Sequence, residues 1–390
     1  MTRKIALLNA IAKAGIATLG EEYEITQDAN EAQAWIVRSK NLHDMDLPEG
    51  LRAIGRAGAG VNNIPIDRCS EQGIVVFNAP GANANAVSEL VIATAILASR
   101  NVVGGVNWVR DLDLNENIAE TTEKGKKAFV GTEIKHKTMG VLGLGSVGHL
   151  VANAAIGMGM EVVGYDPAIP VQFAWQLSRR VRQASSMEEV LRQADFLSIH
   201  IPLNDKTRHI IGAKELAMMK ESAILLNFAR DQLCDEDAVL EALKANKLRR
   251  YVVDFPNEKN VTFPNTIVTP HIGASTDESQ EQCAVMVAQE LKDYLEHGII
   301  KNSVNFPSVS LGYQEQPTRL IIIHHNKPNA ITEMSTFIGK AGYNIDKMIS
   351  DSRKNYAVAI LDINQMVSRE FIMDLLANPL IIKIRVLHKE

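Results

Sequence analysis

At 390 residues, with 46% hydrophobic and 22% charged residues, the chain has the make-up of a globular protein long enough for two or three domains. A net charge of -5 gives no support for nucleic-acid or membrane-surface binding, and no apolar run approaches the roughly 20 residues of a membrane span. Cys69, Cys234 and Cys283 lie far apart without paired metal spacing and read as reduced structural thiols, with no metal site implied. The basic, briefly apolar start is interrupted by Lys13 and lacks a cleavage site, so no signal peptide is expected and the expected location is cytoplasmic.

In chain order, residues 5–8, 34–37, 53–54 and 74–77 read as short strands separated in part by helical patterns, the rhythm of a parallel sheet with crossovers. Residues 87–100 form a long apolar helix and a natural boundary. A second strand–helix series follows, with strands at 138–142, 161–165, 196–201, 223–227, 250–254 and 266–268. The helical stretch 278–298 reads as a return to the first domain. Residues 300–318 are dominated by Asn, Ser, Pro, Gly and Gln and read as a linker. The remaining 70 or so residues follow a βαββαβ order, that of a ferredoxin-like module. The expected class is therefore α/β, with two doubly wound parallel-sheet (Rossmann-like) domains and a small C-terminal ferredoxin-like domain. Its expected divisions are 1–93 with 277–305, then 94–276, a linker at 306–317, and 318–390.

The most specific motif is MGVLGLGSVG, which places Gly143, Gly145 and Gly148 between an apolar strand and a helix. Gly143 permits a tight turn, Gly145 lets backbone approach a pyrophosphate, and Gly148 allows helix and strand to pack closely. The helix start offers free N–H groups and a positive dipole end to phosphate. A second strand ends at Asp166, 18 positions beyond Gly148. A carboxylate there accepts from the ribose hydroxyls of NAD and repels the 2′-phosphate of NADP, so the expected cofactor is NAD.

Oxidising an alcohol beside such a cofactor needs a base, a cation to hold and polarise the substrate, and a group to keep the base poised. Each of three consecutive strand ends supplies one such residue: Arg230 after AILLNF, Glu258 after VVDFPN, and His271 within TPHIGAST. Taken singly, each fits an ordinary surface residue. Taken together, after a dinucleotide motif and at strand ends where open α/β sheets bind ligands, they form a candidate catalytic set.

These segments, with VRSK, RAGAGVNNI, FNAPGANANAVSEL and HIPLNDKT, resemble the D-isomer-specific 2-hydroxyacid dehydrogenases, and the resemblance extends over essentially the whole chain. It implies that His271 takes the C2 hydroxyl proton, Glu258 holds the imidazolium, and Arg230 grips the substrate carboxylate. It also implies cofactor contacts from Ser146, Val147, His200, Pro202, Thr207, Phe228 and Asp254, with Asp254 accepting from the nicotinamide amide. Gly60, Val61 and Asn83 would meet the substrate carboxylate and its surroundings, and Arg38 and Arg56 a substrate phosphate, with Lys126 or Lys127 contributed by a second subunit. The activity implied is NAD-dependent oxidation of D-3-phosphoglycerate to 3-phosphohydroxypyruvate, the first step of L-serine biosynthesis, by a homodimer or homotetramer. The catalytic set fits other 2-hydroxy acids equally well, including reduction of 2-oxoglutarate. The fold also serves NAD-sensing proteins that bind partners.

Two positions depart from the family's pattern: Asp231 follows Arg230 where Gly is usual, and the segment from Asp254 to Glu258 is one residue shorter. The tail, HHNKPNAITEMSTFIGKAGYNIDKM, resembles an ACT domain, a module that binds amino acids. By that likeness, His324, Asn326 and Asn344 would bind serine as an effector, although Asn329 stands where a turn Gly is usual.

Overall fold

The computed structural model describes residues 3–113, 115 and 117–389. Five strands, β1 (Arg3–Leu7), β2 (Tyr23–Thr26), β3 (Ala34–Val37), β4 (Ala53–Arg56) and β5 (Val75–Asn78), form a parallel sheet in the order β2-β1-β3-β4-β5. The 21-residue helix Asp277–His297 covers one face, burying Val287, Ala288 and Leu291 against it. Among these strands β2 is the one with no counterpart in the sequence reading. It lies at an edge and buries only Tyr23, so it has no apolar run to betray it.

A second sheet holds seven parallel strands: β6 (Thr138–Leu142), β7 (Glu161–Tyr165), β8 (Arg182–Gln183), β9 (Phe196–Ile199), β10 (Ile224–Asn227), β11 (Arg250–Val253) and β12 (Thr266–Val268). Their order, β12-β11-β10-β9-β6-β7-β8, makes the flank between β6 and β9 the switch point where such sheets bind ligands. Continuous apolar strands such as Ile224–Asn227, buried at every position, are what a sheet covered on both faces requires.

The C-terminal strands β13 (Thr318–His325), β14 (Ile345–Arg353), β15 (Tyr356–Ile363) and β16 (Ile381–His388) form an antiparallel sheet in the order β14-β15-β13-β16. Helices Ala330–Lys340 and Arg369–Leu376 complete the ferredoxin-like βαββαβ order expected. One sheet face packs on those helices through Leu320, Ile322 and Ala359. The other face, with Ile321, Ile323, Val358 and Ile360, joins the apolar core that also holds Phe77, Val287 and Tyr294.

The chain accordingly divides into two compact units, residues 1–83 with 277–390 and residues 84–276. The expected division at residue 93 falls inside helix Ala84–Arg100, all of which belongs to the second unit, because Val87, Val91 and Ala95 share a core with β6, β10 and β11. The stretch expected to be a linker is built in. Phe306 and Val309 are buried, and Ile300 exchanges backbone hydrogen bonds with Val309. The Asn305 amide donates to Ile74 O and accepts from Val76 N. All three cysteines are buried thiols. No single helix among the described residues is long and apolar enough to cross a membrane.

Candidate functional site

In the second unit the dinucleotide motif folds as its glycines require. Gly143 takes φ +84°, and a Cβ there would come 2.5 Å from His200 O. A Cβ on Gly148, the first residue of helix Gly148–Gly157, would come 1.9 Å from Gly143 O, so only glycine lets the helix approach the strand. Gly145 faces open space, the room a diphosphate needs beside the N–H groups of the helix start, where Ser146 and Val147 are half-buried. Asp166 stands just past β7, accepting from Leu144 N (2.8 Å) through one oxygen and from Ala168 N (2.9 Å) through the other. Its carboxylate is thereby fastened to the glycine loop itself.

On the other side of the switch point, His200 follows β9. Burial pushes its pKa down to about 3, and its Nε2 lies 2.7 Å from Ser198 Oγ, so it works as a neutral ring. The Thr207 hydroxyl donates to Pro202 O (2.6 Å) and accepts from Asn204 N (2.8 Å), closing the loop on which three of the expected residues sit.

Arg230, Glu258 and His271 leave the C-terminal ends of β10, β11 and β12. These are neighbouring strands whose last residues, Asn227, Val253 and Val268, stand in register. Arg230 and His271 reach one feature in common, the half-buried Phe255 ring. Its centroid lies 4.8 Å from the imidazole and 6.0 Å from the guanidinium carbon. All three candidate side chains are exposed.

Glu258 is not brought to His271: no hydrogen bond or ion pair joins them among the described residues. The reason lies in its neighbours. Asn257 and Asn260 both donate to Glu236 Oε1, and Lys259 pairs with Asp237 at 3.0 Å, so the loop is pinned to helix Glu236–Lys244 with Glu258 between the anchors.

The histidine loop is held by Asp254, which is buried. Its Oδ1 accepts from Thr269 Oγ1 (2.6 Å) and Ile272 N (2.9 Å), and its Oδ2 from Gly273 N (2.7 Å). A carboxylate has about four acceptor positions. Three are spent on the loop, leaving one for the amide contact expected of it. Within that loop His271 adopts φ +56°, a left-handed conformation that costs a non-glycine residue on the order of 1–3 kcal/mol and that Asp254 helps to hold. Asp231, by contrast, is not strained. It opens a short 3-10 turn, Asp231–Leu233, with negative φ, so the absence of glycine there carries no penalty.

In the first unit, Arg38 and Arg56 stand at the C-terminal ends of neighbouring strands, with Val37, Arg56 and Asn78 in register across β3, β4 and β5. Arg38 donates to Gln280 Oε1 (2.7 Å). Gly60, Val61 and Asn83 are half-buried. Lys126, in the other unit, is exposed and pairs with Glu123 of its own helix turn.

Three asparagines that sequence reasoning passed over do the positioning. Asn227 is fully buried, donates to Arg230 O (2.8 Å) and accepts from Ala229 N (3.2 Å). Asn78 donates to Ala59 O (2.5 Å) beneath the RAGAGV turn, and Asn9 Oδ1 accepts from the backbone N–H groups of Arg38, Ser39 and Lys40. The available signal was a single Asn closing an apolar strand run in each case: IALLN, VVFN and AILLN.

The model of the D-isomer specific 2-hydroxyacid dehydrogenase NAD-binding domain matches residues 92–273. The D-3-phosphoglycerate dehydrogenase 1 of Saccharomyces cerevisiae is 31% identical over 371 residues, spanning 88% of this chain and 76% of its own. The chain belongs to the D-isomer-specific 2-hydroxyacid dehydrogenases. Another relative in this family, the D-3-phosphoglycerate dehydrogenase of Methanocaldococcus jannaschii, is 37% identical over 314 residues, which cover 78% of this chain and 58% of that protein's length. Among solved structures, the NAD+-bound 3-phosphoglycerate dehydrogenase of Entamoeba histolytica aligns with a TM-score of 0.61 at 27% identity, covering 78% of this chain and 99% of its own. The cofactor of this dehydrogenase family domain is NAD, as the Asp166 carboxylate leads one to expect.

Proposed function

We propose that the protein oxidises D-3-phosphoglycerate to 3-phosphohydroxypyruvate. Oxidation of a 2-hydroxy acid is supported by the register of β10, β11 and β12, which sets a guanidinium, a carboxylate and an imidazole at adjacent strand ends of the sheet bearing the glycine loop, and the phosphorylated substrate by Arg38 and Arg56 at neighbouring strand ends of the first sheet. NAD, when bound, supplies the acceptor for the hydride from C2. His271 accepts the C2 hydroxyl proton, and its loop, tied to Asp254 at three points, keeps the ring on its Phe255 wall. Arg230 pairs with the substrate carboxylate through its planar fork of donors and polarises the forming carbonyl. Glu258 closes on the imidazolium when substrate is bound, since catalytic hydrogen bonds are often long before the complex forms. Arg38 and Arg56 are the groups for the phosphate, to which charge-assisted pairs are strong.

An initial-rate panel over phosphoglycerate, glycerate, 2-hydroxyglutarate and lactate, each with NAD and NADP, tests the reading. Phosphoglycerate with NAD is expected to give the highest kcat/KM. Preference for 2-hydroxyglutarate would move the substrate assignment, and NADH binding without turnover of any of the four would move the protein among NAD-sensing binders.

Assembly as a homodimer is supported by helix Val102–Arg110, whose Val102, Val106 and Val109 form an exposed apolar stripe at helical spacing beside exposed Val130. Val106→Glu should halve the mass seen by light scattering; an unchanged mass places the interface elsewhere. For the C-terminal module the reading is an ACT-type serine site. His324 is buried with Nε2 unpartnered, and Asn329 takes the left-handed conformation (φ +66°) that its turn needs. Asn326 and Asn344 spend their amides on Lys354 O and Asp346. Calorimetric heat with millimolar serine, accompanied by inhibition, is the expected result; no heat and no inhibition would leave the module a structural one.

A further inference from the structure

Where β16 of the C-terminal module meets the first parallel sheet, a cavity of about 110 Å³ is lined by Arg52, Lys383, Arg385 and Tyr294 among apolar neighbours. Arg385 is only 7% exposed and stacks its guanidinium over the Tyr294 ring at 4.9 Å. Its two terminal nitrogens donate to Tyr294 O and Leu295 O, while its Nε is buried without a partner. Lys383 donates to Leu51 O (2.8 Å), and among the described residues the Arg52 guanidinium makes no hydrogen bond. None of these three cations forms an ion pair among the described residues. Glu49 acts on Lys383 through its field.

Three unneutralised positive charges in one enclosed space are costly, and the cost is visible. Burial pushes Lys383 down to about 8 and Arg385 down to about 10, and the charge of Arg52 adds to both shifts. No carboxylate pairs with any of the three among the described residues, whereas the fully buried Arg319 has Asp362 against it at 2.6 Å. An anion in the cavity would remove the cost. The space equals three to four waters at about 30 Å³ each, enough for a tetrahedral oxyanion and too small for a nucleotide.

We infer that this cavity is an oxyanion site of the phosphate class, held by Arg52, Arg385, Lys383 and the Tyr294 hydroxyl. Its ligand joins the C-terminal module to the first parallel sheet, because Arg52 precedes β4 while Lys383 and Arg385 lie on β16. The ligand is inorganic phosphate or the phosphate head of a small monoester whose remainder projects outward. The inference stands apart from the substrate reading, since Arg38 and Arg56 belong to other strand ends.

The test is calorimetric titration of the full chain with inorganic phosphate, in an R38A/R56A background that removes the proposed substrate phosphate site. One phosphate per chain should bind, and adding Arg52→Gln should weaken it at least tenfold. Arg52→Gln breaks no hydrogen bond, so in phosphate-free buffer its Tm should equal or exceed that of its parent, and the rise in Tm that phosphate gives the parent should vanish. Glycerol 3-phosphate binding as tightly as phosphate would identify a monoester as the ligand; binding of phosphate alone would identify the free ion. No phosphate binding in the R38A/R56A background, or undiminished binding in R52Q, overturns the site.

Discussion

The strand ends of residues 84–276 that carry the proposed catalytic set and the junction around β13 and β16 in the other unit are built by opposite means. At the strand ends, neighbours in sequence do the work: Asp254 fixes a loop 15 to 19 positions away, and Asn227 fixes Arg230 three positions on. The polar side chains themselves are left exposed for a ligand. At the junction, Arg319 and Asp362, both buried, pair through two bonds (2.6 and 2.8 Å), and Arg319 also donates to His297 O and Gly312 O, joining four separate stretches. Chemistry is carried by short motifs on rigid strand ends, whereas assembly is carried by long-range buried charge. Changes in the first region should cost rate and spare stability; changes in the second should do the reverse.

The largest separation should come from His271→Ala. Loss of the proposed general base should lower kcat by about 10³-fold, while NADH binding, followed by fluorescence, stays within a factor of two or so and Tm is unmoved. Turnover near that of the parent would show that another group takes the proton. The mirror-image change is Asp362→Ala, which strands Arg319 without its partner. Breaking a buried pair from one side costs about 3–5 kcal/mol, read as a fall in the denaturant midpoint, with kcat at low temperature little altered. Replacing both members, R319M with D362L, should recover most of the loss.

A third prediction sharpens the comparison by pH. Glu290, on helix Asp277–His297, is buried with one oxygen accepting from Asn302 (2.6 Å) and the other unpartnered. Burial pushes its pKa from 4.5 up to about 8. The folded state therefore binds a proton that the unfolded state gives up, and stability should fall as pH rises between about 4.5 and 8. Glu290→Gln keeps the hydrogen-bonding shape without the charge and should flatten that part of the Tm–pH curve. A slope equal to that of the parent would assign the dependence to other groups.

How much of this was legible follows the same division. The glycine loop, Asp166 and the triad of strand ends are local patterns, and the parallel strands carrying them are continuous apolar runs; both survive in a linear reading. The ferredoxin-like module was legible for the same reason. What escaped depended on contacts distant in sequence. The composition of residues 300–318 reads as a linker, yet Phe306 is buried and Asn305 bonds to residues more than 200 positions earlier. Nothing in the sequence signals that Lys383 and Arg385 reach Leu51 O and Tyr294 O, contacts that exist only once β16 is laid against residues about 90 or more positions earlier. Glu258 was legible as a residue type and strand-end position, but not in aim, because its direction is set by Asn257, Asn260 and Lys259 gripping a different helix.

Asp166→Ala is expected to have a more moderate effect. Its carboxylate, proposed to meet the ribose hydroxyls, also holds Leu144 N, so kcat/KM with NAD should fall about tenfold, the size of one hydrogen bond to a charged group. With NADP the value should rise as the repulsion disappears. An unchanged ratio between the two cofactors would contradict the ribose contact.

The smallest effect should come from Asp231→Gly, which restores the family's usual residue beside Arg230. If position 231 needed a left-handed backbone, glycine would relieve strain and stabilise the chain. Asp231 instead has negative φ and opens a 3-10 turn, so glycine gains nothing in the folded state and loses more freedom on folding. The expected result is a loss of about 0.5–1 kcal/mol with kcat/KM close to that of the parent, because Arg230 is placed by Asn227 from the strand side and not by the residue that follows it. A gain in stability, or a rise in kcat, would mean that the turn after Arg230 is strained when substrate is bound, and that the exposed strand ends rearrange more than their backbone anchors suggest.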